Sequence, residues 1–78
     1  MANSVQFDYT LLEKRIRQCF GSKAKYAEVS KTICRTSLIY KMKNKWPFTD
    51  EEMLEASELL KFENGVDDIP KYFFTPLV

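Results

Sequence analysis

Only five residues of this 78-residue chain are glycine or proline, and they stand apart from one another: Gly21, Pro47, Gly65, Pro70 and Pro76. Glycine opens the left-handed region to the backbone, and proline removes an amide donor and restrains the residue before it. Chains built of hairpins need such residues at short, regular intervals. The long stretches left uninterrupted here suit helices instead, so the expected class is all-α. At 45% hydrophobic and 14% aromatic residues, the chain has enough apolar surface for one packed core, which argues against wholesale disorder. A chain this short has room for one domain, residues 1–78, and no large catalytic cleft.

Apolar spacing and capping residues place the helices. In "FDYTLLEKRIRQCF" Leu12, Ile16, Cys19 and Phe20 recur at helical intervals, with Tyr9 one turn earlier. Asp8 or Thr10 can cap its start, and Gly21 stops it. Ser22 then caps a short second helix, "SKAKYAEVS", in which Tyr26, Ala27 and Val29 are expected to turn inward. After a break at "SKT", a third helix is expected at about 33–44, with Leu38, Ile39 and Met42 on its apolar side and Arg35, Thr36 and Lys41 opposite. Pro47 separates it from "WPFTDEEMLEASELLKF". There Thr49 and Glu52 form a capping-box pair, Phe48 and Met53 a hydrophobic staple, and Asp50, Glu51 and Glu52 complement the positive helix end. This helix is expected to reach Phe62 or Glu63, where Asn64 and Gly65 stop it. A short helix at about Val66 to Tyr72 follows, within an apolar tail at about 66–78 whose Phe73, Phe74, Leu77 and Val78 need burial, first of all on the domain's own core.

The net charge of +1 conceals two opposed blocks. Ten of the twelve basic residues lie between Lys14 and Lys45, where Glu28 is the only acid, whereas residues 46–78 hold eight of the eleven acids against Lys61 and Lys71. Phosphate binding depends on local charge density, so the basic block can footprint DNA although the total is near zero. It can equally pair with the acidic block. Charge alone leaves both open.

Other classes find less support. Cys19 and Cys34 are the only cysteines and there is no histidine, too few ligands for a structural zinc site, so no metal and no cofactor is expected. Both thiols read as small, partly buried apolar residues in a reducing compartment. There is no histidine, no Gly-rich phosphate loop and no convincing nucleophile with a base, which argues against an enzyme. The opening "MANSVQFDYT" lacks the basic segment and apolar core of a secretory signal, and no apolar run is long enough to span a bilayer, so a cytoplasmic protein with no membrane partner is expected.

A short helix with a small residue, a tight turn, and a second helix with a polar outer face is the helix-turn-helix plan. With "FGSKAKYAE" as the first helix, "TSLIYKMKNK" as the recognition helix and its exit, and "DDIPKYFF" in the tail, the chain resembles the small bacteriophage regulators of the Cro and repressor type over residues 7 to 74. The resemblance implies a compact five-helix bundle with a helix-turn-helix. It also implies a sequence-specific regulator of a phage or prophage switch that occupies double-stranded operator DNA in a bacterial host cell, as a homodimer at least when bound. One departure stands out: where the family usually has glycine in the turn and serine or threonine as cap, this chain has "SKTIC" and is one residue longer between Ala27 and Leu38. Either Thr32 or Cys34 then caps the recognition helix, and the outward phase shifts by one residue.

On this reading Arg35 is the first candidate for base contact, because a guanidinium can grip guanine O6 and N7 together. Thr36, Ser37 and Tyr40 are candidates for bases or phosphate, and Lys41, Lys43, Asn44 and Lys45 for the backbone beyond the helix. Lys23 and Lys25 are candidate phosphate clamps. The acidic, apolar C-terminal half supports a different class of function, a protein-binding modulator that acts through a partner repressor.

Overall fold

The computed structural model describes residues 6–76. They form a compact all-α bundle of five α-helices, with no strand among the described residues. Several helix ends lie where loose backbone groups find partners. For α1, Thr10–Phe20, the cap position falls to Tyr9, which makes no side-chain capping bond, and not to Asp8 or Thr10; Asp8 Oδ1 instead closes a local turn, accepting from the Thr10 amide at 2.9 Å and the Thr10 hydroxyl at 2.6 Å. These bonds, the hydroxyl's first, hold the Asp8 carboxyl below its ordinary range. Gly21 ends α1 at φ 89°, returning its amide to the Arg17 carbonyl.

Ser22 Oγ caps α2, Lys23–Val29, by accepting from the Lys25 amide. Tyr26 turns into the core and Ala27 is half-buried, but Val29, expected inside, is 49% exposed. It is the last residue of its helix, and the chain leaves in an extended conformation at Ser30, so the inward position passes to Ile33 beyond the turn. The third helix, α3, is Arg35–Met42, two residues shorter at each end than its expected span. Cys34 holds the cap position and makes no capping bond, so Thr32 is not the cap. Asn44, at φ 63°, closes the helix: the Lys45 amide reaches the Tyr40 carbonyl and the Asn44 amide that of Lys41, the paired bonds of a Schellman turn.

The predicted capping box stands at the start of α4, Asp50–Leu59: Thr49 Oγ1 accepts from the Glu52 amide at 3.2 Å and Glu52 Oε1 from the Thr49 amide at 2.8 Å. The helix stops before Phe62, and not at Asn64 and Gly65. Lys61 adopts φ 53° and a second Schellman turn forms, with Phe62 donating to Ser57 and Lys61 to Glu58. Arg15 stabilises this break by donating Nε to the Leu60 carbonyl and Nη2 to that of Lys61, where the negative helix end favours a cation. A 3-10 turn, Gly65–Asp68, then leads into α5, Ile69–Phe73, so the expected tail helix is split in two.

One core joins these elements. Leu12, Ile16, Leu38, Leu60 and Phe73 are almost wholly enclosed, and Phe48 stands edge-on to both Tyr9 and Phe73. The tail folds back: Asp8 donates its amide to the Thr75 carbonyl, and Phe7 and Pro76 form an isolated antiparallel bridge. Self-packing thus accounts for Phe73, while Phe74 remains 45% exposed, and Leu77 and Val78 lie outside the described residues. Both cysteines are exposed, contrary to their expected partial burial. Cys19 sits at the rim of the core with its thiol toward the Leu60 carbonyl, and Cys34 occupies a cap that faces solvent. No described helix is long and apolar enough to cross a membrane.

Candidate nucleic-acid interface

Helices α2 and α3 are joined by the turn at residues 30–34, which has no glycine to ease it. A single carboxylate from α4 holds it instead. Glu55 accepts from the Ser30 hydroxyl, from the Lys31 amide at 2.7 Å and from the Thr32 hydroxyl at 2.7 Å, while Ser30 Oγ in turn accepts from the amides of Thr32 and Ile33. Partial burial pushes the Glu55 carboxyl up, but the hydrogen bonds from Ser30, Thr32 and the turn amides together outweigh it and leave the group below its ordinary range. A carboxylate whose folded pKa is lowered stabilises the fold above its unfolded pKa, and that contribution is lost as pH falls through the folded value. Stability is therefore expected to decline as pH falls below about 5, and Glu55→Ala to remove about 1 to 2 kcal/mol at pH 7 and much of that decline. Urea unfolding of both proteins at pH 7 and pH 4 checks this; equal pH dependence of the two would rule out the role given to Glu55.

With the turn held, α3 has a defined phase. Leu38 points into the core, so Thr36 and Tyr40 lie on the opposite side, and Arg35 is exposed at the first turn. Lys43 and Lys45 are exposed just past the helix, and Ser37 is half-buried, its Oγ 3.4 Å from Cys34 Sγ. That contact, first among its causes, lowers the Cys34 thiol pKa. Ala24, Ala27 and Glu28 of α2 share one surface depression with the cap residue Cys34 and with Arg35 of α3. At the other end Lys23 and Lys43 border a second depression together with Asp8 and Glu13.

Two of the expected contact residues have other partners. Lys41 Nζ lies 2.6 Å from both carboxylate oxygens of Glu52, in a pair whose side chains are only 11% and 8% exposed. Asn44 forms a two-pronged bond with the backbone of Phe7, accepting its amide on Oδ1 and donating Nδ2 to its carbonyl, each at 3.0 Å. Both side chains are directed into the fold, because Glu52 and Phe7 approach from elements distant in sequence. Lys23 is partly engaged, with Nζ 4.0 Å from Glu13, which also pairs with Arg17. Lys25, Lys31, Arg35, Lys43 and Lys45 make no ion pair among the described residues.

The opposed charge blocks therefore meet in one ion pair, Lys41 with Glu52, and the basic surface around α3 is otherwise left open among the described residues. Two residues at this surface escaped the sequence reading. Glu55 carries no local signal, since its partners lie in another segment. Trp46 was visible only as the residue before Pro47, yet it is 49% exposed and rests against Tyr40 with ring centroids 5.2 Å apart.

No curated protein matches the chain. A family does. Residues 5–76 match the family described as Protein of unknown function (DUF739), and the chain belongs to it.

Proposed function

We propose that this chain is a sequence-specific, non-enzymatic DNA-binding regulator of a phage or prophage switch, which acts by laying α3 in the major groove of its operator. The observation that carries the reading is the exposed surface of α3: Thr36 and Tyr40 stand on the face turned from the core and Arg35 at the helix start, with Lys43 and Lys45 just beyond and no acid paired to these cations among the described residues. The groove admits one helix, and α2 with its turn is positioned to brace it. Arg35 is the base reader in this proposal, Thr36 and Tyr40 flank it, and Ser37 lines the helix start. Lys25, Lys43 and Lys45 serve the phosphates and Lys23 does so more weakly, while Lys41 and Asn44 position the helix and its exit without touching DNA.

The test is binding of the protein to its own upstream regulatory DNA and to a scrambled duplex, each across a salt series. Selective binding with a log–log salt slope of about −3 to −5 is expected, about one unit for each phosphate contact. Equal, weak binding to both duplexes would sink the proposal.

A second reading has its own observation. Leu54 and Val66, 48% and 53% exposed, join the half-exposed Phe74 around an open groove on α4 and α5. Specific readout generally requires two half-sites, so this surface suits a homodimer formed at least on DNA. It suits equally a partner repressor, if the chain is a protein-binding modulator. Arg35→Ala with Lys43→Ala separates the two, since it abolishes an activity exerted on DNA and spares one exerted through a protein.

A further inference from the structure

The open basic surface does not end with α3. Past the Schellman turn at Asn44 the chain places Lys45 and then Trp46, both exposed, and the indole leans on Tyr40 at a 58° angle between rings. Tyr40 itself is 42% exposed. Two large aromatic rings thus stand against each other, each about half exposed, close in sequence to two cations that make no ion pair among the described residues, Lys43 and Lys45. Aromatic rings with a polar edge are favoured at interfaces.

Charge selects the occupant. Tyr40 lies within the block where cations outnumber acids ten to one, Trp46 directly follows it, and the next acid is Asp50, after the turn at Pro47. An anionic ligand with flat or apolar parts between its charges fits such a surface, and the sugar-phosphate edge of a duplex is one. We propose that Trp46, braced by Tyr40, packs against the deoxyribose edge of bound duplex DNA while Lys43 and Lys45 take the adjacent phosphates, so that Trp46 marks the limit of the footprint. This rests on the DNA-binding reading above and adds to it a sequence-independent contact beyond the recognition helix.

Trp46 is the only tryptophan, so its fluorescence reports on this contact directly. The probe is a random-sequence duplex of about 20 base pairs at low salt, because the contact does not depend on base identity. Titration of the full chain is expected to change Trp46 emission with the midpoint given by an independent anisotropy measurement on labelled duplex. Trp46→Ala is expected to weaken the duplex about five- to tenfold, as for loss of one aromatic contact, with an unchanged salt slope. Trp46→Phe should recover most of that loss. Trp46 is half exposed, so both variants are expected to unfold at the wild-type urea midpoint, which is measured alongside. Duplex binding with unchanged emission and unchanged affinity of Trp46→Ala overturns the role of Trp46 and leaves the DNA-binding reading standing. No binding of any duplex by the wild-type chain overturns both.

Discussion

Replacing Lys41 by methionine is expected to lower the stability of the fold by about 3 kcal/mol. The reason is what it leaves behind. Glu52 is 8% exposed and its carboxylate faces the Lys41 ammonium through both oxygens, so removing the cation strands a charge with little access to water. For a chain of this size, at about 4 to 8 °C per kcal/mol, the thermal midpoint should fall by roughly 15 °C. The double variant Lys41→Met with Glu52→Gln removes both charges and keeps an amide oxygen able to receive the Thr49 amide, as a capping box allows. It should return to within about 1 kcal/mol of the parent, because a buried pair often contributes little beyond its apolar equivalent. Urea unfolding of the three proteins decides: a single variant that costs less than the double one would show that the pair is not the source of the effect. Lys41 is accordingly a poor probe of nucleic-acid binding, since its loss would reduce any activity by loosening the fold.

Arg35→Ala is expected to weaken operator binding by about 1 to 3 kcal/mol and to relax selectivity at one base position. Its side chain is exposed and makes no ion pair among the described residues, so stability should change by no more than about 0.5 kcal/mol. Lys43→Ala should behave differently, weakening all duplexes alike and reducing the salt slope by about one unit. Comparing the two variants on matched and scrambled duplexes separates base reading from phosphate contact. If Arg35→Ala binds both duplexes as the parent does, α3 does not read bases through Arg35.

Much of the fold was legible because the signals are short-ranged. Ser22 with Lys25, Thr49 with Glu52, and Gly21 with Arg17 are partners three or four residues apart, and each lies where sequence reading puts it. Errors cluster at helix ends of a different kind. Lys61 and Asn44 adopt positive φ in Schellman turns, and for Lys61 nothing in the residue type announces it; Arg15, drawn from α1, supplies the stabilising cation.

The candidate site was legible only in outline. Thr36 and Tyr40 are exposed opposite the apolar seam and Lys43 and Lys45 beyond it, whereas Arg35, three residues before Leu38 and so on its side of the helix, is exposed because it is the first residue of α3. The odd turn at residues 30–34 read as a departure without a compensating feature, whereas Glu55 supplies one.

The sequence by itself determined the helical class, most of the caps, the apolar seams and the basic block, since each depends on neighbours within about one helical turn or on composition. Only the tertiary structure decided which polar side chains stay available. Lys41 meets a partner 11 residues away, Glu55 one 24 away, Asn44 one 37 away and Arg15 one 45 away. A charged or amide side chain is free or engaged according to what the packed helices bring within hydrogen-bond distance, and that depends on the assembled core rather than on local spacing.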